Sequence, residues 1–393
     1  MSARSWPSST AVRHLVLVFG IGRSGSSLFT GILNQLGFHV PQPEVKANET
    51  NPRGFSEPRW VVDFHTRLMR RLRVSRFDSR PTAWCSTGEL ANDEEVFQEL
   101  RSWLAVQFVG RDDVVVKDPR IDWFLPLWTR CADDLGVQIS FASMLRHPSE
   151  MVRSSRDSYG TWQSDASRAA SWLNMTLHSE RATRDARRVF IRYDDLLEDW
   201  SREISRAGEL LDLPGLAGLD PSRHPQVDSF VDPALRRSPV GWEEVAVPQA
   251  LQDMLDDAWR SASRLAEPGG DDDATRASLD AIWEAYVRLY ADAEAIAQSS
   301  VTAAKPPGQR STRAKPGGHT RIAKGRLSAR VTRLIPAQHR QRVRLAVSRA
   351  GLGASDLVAL PVRMVLLVPP RYRERVPLPV VRAGLRVVRA LRK

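Results

Sequence analysis

The stretch FGIGRSGSSLF, residues 19 to 29, places three glycines, an arginine and three serines in one short turn. Such a set can bind an oxyanion. Gly22, Ser24 and Gly25 let backbone N–H groups approach it, Arg23 supplies charge, and the hydroxyls of Ser26 and Ser27 can donate further hydrogen bonds. Gly20 and Gly25 have the spacing of GxxxxGK[ST], but Ser26 stands where that pattern requires lysine, so the loop departs from nucleoside triphosphatases. A tight strand-to-helix connection with no ligand is the competing reading of the loop alone. Two more basic residues fall just after apolar runs. Lys117 follows Val114 to Val116 and precedes Asp118, and Arg146 follows Val137 to Leu145. If those runs are parallel strands, all three basic residues meet at the carboxyl edge of one sheet, where open α/β sheets take ligands.

The elements needed to hold them are legible. Leu15 to Gly20 is an apolar, β-branched run ended by glycine, too short for a helix and hence a buried strand. Leu28, Ile32, Leu33 and Leu36 then recur at helical spacing, with Gly37 where a helix ends. His147-Pro148 breaks the run that ends at Leu145, and Pro148 suits the first position of a helix reaching about Asp157. Val189 to Tyr193 is a further short strand, and Asp194 and Asp195 are expected to cap the helix after it. Trp242, Trp259 and Trp283 fall in expected helices as core residues. The fold class expected is α/β, a central parallel sheet flanked by helices in a P-loop-like arrangement, over residues 12–298.

GRSGSSLF resembles the 5′-phosphosulfate loop of sulfotransferases that use 3′-phosphoadenosine 5′-phosphosulfate (PAPS), in which Lys or Arg precedes a Ser-Gly-Thr/Ser-Thr/Ser run. That family pairs the loop with an arginine at the end of a later strand and a serine eight residues on. Arg146 and Ser154 in LRHPSEMVRSS stand at that spacing. The resemblance implies PAPS as co-substrate, no metal, Gly22 to Ser27 around the 5′ end, and Arg146 with Ser154 on the 3′-phosphate. It also implies a general base. Glu57 in NPRGFSEP is favoured, because Asn51, Pro52 and Gly54 signal a turn near the loop and the segment is similar to one in bacterial members. Other branches of the family point to Glu44 or His65. KDPR is similar to a bacterial run too. From their place at the strand end, Lys117, with Arg23 of the loop, is expected to neutralise charge on the transferring group and Asp118 or Arg120 to hold acceptor hydroxyls; a structural Lys-Asp pair is the alternative. Arg236 and Arg237 are further expected contacts to the nucleotide. By analogy with the bacterial branch, the acceptor is a hydroxyl on a glycan or glycolipid. A P-loop-like kinase or hydrolase, and a non-catalytic nucleotide-binding scaffold, are the other two classes carried forward.

Composition sets the remaining bounds. The chain has 393 residues and two cysteines, Cys85 and Cys131, too few for a disulfide framework, and no Cys/His cluster at metal spacing. No run approaches the roughly 20 apolar residues of a membrane span. Charge is uneven: residues 301 to 393 hold 22 Lys and Arg against Asp356 and Glu374, a net +20 in a chain of +11, so residues 1 to 300 carry −9. Residues 299–325, rich in Pro, Gly and basic side chains, read as a flexible linker. Residues 326–393 set Leu and Val at helical intervals among arginines, as in basic amphipathic helices that lie on an anionic membrane surface. The one aromatic there, Tyr372, argues against nucleic acid. The localisation expected is cytoplasmic, peripheral at the inner membrane face.

Overall fold

A computed structural model describes residues 12–304, apart from 49, 50, 52, 161, 162 and 233–239. Four strands form one fully parallel sheet: β1 (His14–Phe19), β2 (Asp113–Lys117), β3 (Gln138–Leu145) and β4 (Arg188–Arg192), in the order β2-β1-β3-β4. The strands read as unbroken apolar runs because helices cover both faces. Alternate residues divide between two cores. Leu15, Leu17 and Phe19 join Val116, Phe141 and Phe190 on one side; Val16 and Val18 join Val115, Met144 and Ile191 on the other.

The chain moves from β1 outward to β2, then crosses back to β3 and outward again to β4. The order therefore reverses between β1 and β3, and ligands of open α/β sheets bind outside the carboxyl ends of the strands at such a point. Three segments leave that edge. The loop 20–25 leads into helix α1 (Ser26–Gln35), Asp118 follows β2, and Arg146 and His147 lead from β3 into α6 (Pro148–Tyr159). Between α1 and β2 lie α2 (Arg59–Leu72), α3 (Ala83–Gly88) and α4 (Glu94–Gln107); α5 (Leu125–Leu135) joins β2 to β3. Helix α7 (Asp165–Ala182) joins α6 to β4. After β4 come α8 (Tyr193–Glu198), α9 (Trp200–Leu210), α10 (Pro225–Phe230), α11 (Gln249–Arg264) and α12 (Asp273–Ala304).

Two expectations need correction here. Asp194 and Asp195 do not cap α8: its N-cap is Arg192, without a side-chain cap, and Asp195 instead pairs with the Arg192 guanidinium at 2.6 Å. Helix α12 runs past Ser299 to Ala304, because nothing before Pro306 breaks it, so the linker does not begin at 299. Trp259 and Trp283 lie in α11 and α12, but Trp242 opens a 3-10 turn; all three pack against the core. Among the described residues no helix is long and apolar enough to cross a membrane. Arg236, Arg237 and residues 305–393, with the basic amphipathic segments, lie outside the described residues.

The turn between β1 and α1 depends on close approach. Gly20 has φ +126°, and a Cβ placed there would stand 2.6 Å from the Met144 carbonyl oxygen of β3. Backbone cannot swing aside as a side chain can. Gly20→Ala should cost about 2–4 kcal/mol from the left-handed conformation and the overlap together, lowering the thermal midpoint by roughly 5–12 °C. A midpoint within a degree of wild type would show that the loop is not wedged against β3.

Candidate active site

The loop is built to leave donors unspent. Gly25, at φ +94°, is the N-cap of α1, and Arg23 also takes a left-handed conformation, φ +81°. Leu28 and Phe29 donate to the Gly25 carbonyl, and the Ser24 N–H donates to Ile21. The N–H groups of Ser26 and Ser27, in the first turn of α1, have no acceptor among the described residues. Helix N-termini leave such donors over and carry a partial positive charge. The fully buried Ser24 hydroxyl also lacks a partner among the described residues. A side chain at Gly25 would collide with the ring of Tyr193 at 2.2 Å, so the αL residue is also walled in.

Arg23 joins the loop to the second motif. Its Nε donates to the Ser154 hydroxyl at 3.1 Å, and Arg146 donates from a terminal nitrogen to the Arg23 carbonyl at 3.2 Å. Arg146 is fixed on three further sides. Its Nε pairs with Glu150 at 2.9 Å, its guanidinium lies 5.0 Å from the centre of the Tyr193 ring, and its carbonyl accepts from Trp172. Residues 131 positions apart in sequence thus form one polar unit at the β1/β3 reversal.

The other side of the loop is closed by the segment after α1. Lys117, the last residue of β2, donates to Glu57 at 2.6 Å, to the Phe55 carbonyl at 3.2 Å and to the Ser27 hydroxyl at 3.3 Å. Ser27 in turn donates to the Phe55 carbonyl and accepts from the Asn51 amide at 3.3 Å. Glu57 is buried just before the Pro58 N-cap of α2, pinned by Val45 N–H to its carbonyl at 2.8 Å. One of its carboxylate oxygens is held by Lys117, and no hydrogen bond engages the other among the described residues. The turn signal at Asn51 and Gly54 therefore brings a carboxylate, an ammonium and a serine of the loop together.

His65 and Asp118 occupy positions other than those expected. His65 is fully buried, donating from Nδ1 to Asp118 at 2.8 Å and accepting at Nε2 from the Trp128 indole at 3.1 Å. Both ring nitrogens are spent and burial lowers its proton affinity, so it has no lone pair for an acceptor hydroxyl. Asp118 is likewise buried, with one oxygen on His65 and the other accepting the Arg120 guanidinium at 2.6 Å and the Arg120 N–H at 3.1 Å. Burial would raise its pKa, but the Arg120 charge and the His65 hydrogen bond hold it down to about 2. It positions Arg120; it does not present an oxygen to acceptor hydroxyls. Glu44 bridges to Pro58 through its backbone, and its carboxylate accepts from Gln42 at 2.6 Å; none of its hydrogen bonds reaches the loop, Lys117 or Arg146.

Two site residues carry no sequence signal. Arg76 lies with its guanidinium over the Tyr159 ring at 4.0 Å and the Phe77 ring at 4.7 Å. Those rings cover Gly22: a Cβ there would meet Phe77 at 3.4 Å and the Tyr159 hydroxyl at 3.8 Å. Asp122, in the turn after β2, is buried beside Ser179 and the Gly20 N–H, and burial pushes it up to about 8.

No protein-family model and no curated protein matches the chain. Among solved structures, the sulfotransferase domain from the Synechococcus PCC 7002 olefin synthase aligns over 67% of this chain and 99% of its own. The identity is 17% and the TM-score 0.38. A likeness that shallow carries no argument about activity, which must rest on the side chains themselves.

Proposed function

We propose that the protein transfers a sulfuryl group from PAPS to a hydroxyl acceptor. The observation that carries this reading is the link between the two polar motifs: a loop with unspent N–H donors, tied through Arg23 to Ser154 and Arg146. A 3′,5′-bisphosphorylated adenosine has two anionic ends, and the two motifs match them. The residues present fit such a group. The N–H groups of Ser26 and Ser27 and the orphaned Ser24 hydroxyl suit the 5′ end. Arg146 and Ser154 suit the 3′-phosphate.

When bound, PAPS supplies an activated sulfuryl group whose transfer to an acceptor oxygen breaks the bond to the 5′-phosphate. The chain's own tasks are to place the acceptor, take its proton and balance charge. Glu57 has the free oxygen to accept that proton. Lys117, between Glu57 and Ser27, sets a positive charge where the loop and the base meet. Arg23 adds a second charge on the loop. Asp118 and His65 act through Arg120, which they hold in place. The acceptor class expected from sequence, a sugar hydroxyl, is retained.

Calorimetry in metal-free buffer tests the donor. The full-length protein should bind 3′-phosphoadenosine 5′-phosphate more tightly than ADP, and Arg146→Ala should erase most of that preference. Charge-assisted hydrogen bonds contribute about 1.5–3 kcal/mol, so the loss should be roughly tenfold to a hundredfold. Ser154→Ala, which leaves the Arg146 and Glu150 pair intact, should show a smaller loss in the same direction. Equal affinity for the two nucleotides in the wild type would sink the reading.

A further inference from the structure

The cations of this site are nearly all matched. Lys117 pairs with Glu57, Arg120 with Asp118 and Arg146 with Glu150, while Arg23 donates to Ser154. Arg76 is the exception. Half-buried and stacked on Tyr159 and Phe77, it forms no ion pair and no hydrogen bond among the described residues. Stacking engages the face of a guanidinium and leaves its in-plane N–H donors along the edges. Burial lowers the proton affinity of Arg76, as does the nearby Arg120 charge, while Tyr159, Glu57 and Asp118 favour its charged form. The Arg120 charge disfavours that of Arg76, and an anion bound by both would relieve the repulsion.

The donor contacts proposed above leave Arg76 unassigned. The loop and the Arg146 and Ser154 pair are assigned to the two ends of the nucleotide, and Arg76 stacks on Phe77 and Tyr159, the rings that cover Gly22. Arg76 and Arg120 each lie within electrostatic reach of Glu57 and of Tyr159. Arg120 spends one guanidinium nitrogen on Asp118 and has other N–H donors to offer.

We propose that Arg76 and Arg120 form an anion subsite for the acceptor, so that the acceptor is a hydroxyl compound also carrying a carboxylate or phosphate. This rests on the sulfotransferase reading for its meaning, but its test does not. The Tyr159 hydroxyl, which has no hydrogen-bond partner among the described residues, lies beside the subsite as a neutral donor.

The test uses the full-length protein saturated with 3′-phosphoadenosine 5′-phosphate, titrated with glucuronate, glucose 6-phosphate and glucose, with binding followed by saturation-transfer NMR. At least one of the two anionic sugars should bind about tenfold or more tightly than glucose, as a charge-assisted pair predicts; whichever is preferred tells carboxylate from phosphate. Arg76→Met keeps the apolar stem over the rings and should remove most of the preference, leaving nucleotide affinity within about twofold; Arg76→Lys should restore part of it. Thermal midpoints of both variants show whether the fold survives. Equal or absent binding of all three sugars to the wild type overturns the proposal. So does a preference that survives Arg76→Met, or a nucleotide affinity that falls with it, which would place Arg76 on the donor. If the nucleotide does not bind the wild type at all, the sulfotransferase reading fails; an Arg76-dependent preference for the anionic sugar in nucleotide-free protein would then still sustain the subsite, and its absence would end both.

Discussion

Glu57→Gln should lower kcat for sulfuryl transfer by about a hundredfold to ten-thousandfold while leaving the affinity for 3′-phosphoadenosine 5′-phosphate within about twofold. General-base catalysis contributes about that much, and an amide of the same shape cannot accept a proton. The substitution is chosen to disturb little else. The glutamine carbonyl can still accept from Lys117, at 2.6 Å in the wild type, so the contacts of Lys117 with Ser27 and Phe55 need not move. Lys117→Met is the poorer probe, because removing one partner of a buried pair costs about 3–5 kcal/mol and would confuse folding with chemistry. Transfer assayed with a sugar acceptor under nucleotide saturation, with kcat and KM separated, decides the matter. An unchanged kcat removes Glu57 from proton transfer. His65 could not replace it, since Asp118 and Trp128 already take both ring nitrogens.

The path from sequence to this site shows where local pattern is sufficient. The four strands were legible because a strand covered on both faces must be apolar throughout, and the runs 15–20, 114–116, 137–145 and 189–193 have that character. Their order was not, since which strands are neighbours depends on how α2 to α5 pack, and no periodicity reports that. Glu57 could be placed near the loop by the turn at Asn51 and Gly54, but its bond to Lys117 spans 60 residues of chain. Asp118 looked like a ligand because it ends a strand at the binding edge; the two partners that consume its oxygens come from α2 and from two residues further along. Arg76 sits in RRLRVSR, where one arginine is not distinguished from its neighbours until Tyr159, far along the chain, supplies the ring beneath it. Pattern marks the residues able to do chemistry, and tertiary contact decides which of them are spent on structure.

Asp122 was invisible for the same reason, and it carries a prediction of comparable size. An aspartate in a short turn reads as an ordinary polar residue, yet this one is buried at 2% exposure with one oxygen that has no hydrogen-bond partner among the described residues. Burial, with a smaller push from the Asp118 charge, raises it from an ordinary 3.8 to about 8, against the pull of Ser179 and the Gly20 N–H. Near neutral pH it is therefore protonated in the folded protein and ionised in the unfolded chain. The folded state then binds the extra proton, so stability falls as pH rises. The contribution is fully present below about pH 3.8 and is lost as pH climbs to about 8; a span of about four units is worth up to roughly 5 kcal/mol. Asp118 runs the other way, its low pKa contributing stability that disappears only as pH falls from about 4 toward 2. Asp122→Asn keeps the shape of the neutral acid, so urea unfolding at pH 5 and pH 8 should show the variant gaining several kcal/mol on the wild type between the two. A gap equal at both values would mean that Asp122 is ionised in the fold. The same substitution bears on the site, because the carboxyl lies beside the Gly20 N–H at the root of the anion loop. Its ionisation would set a negative charge behind the donors that hold the nucleotide, so the wild type should lose nucleotide affinity as pH passes 8, and Asp122→Asn should lose less.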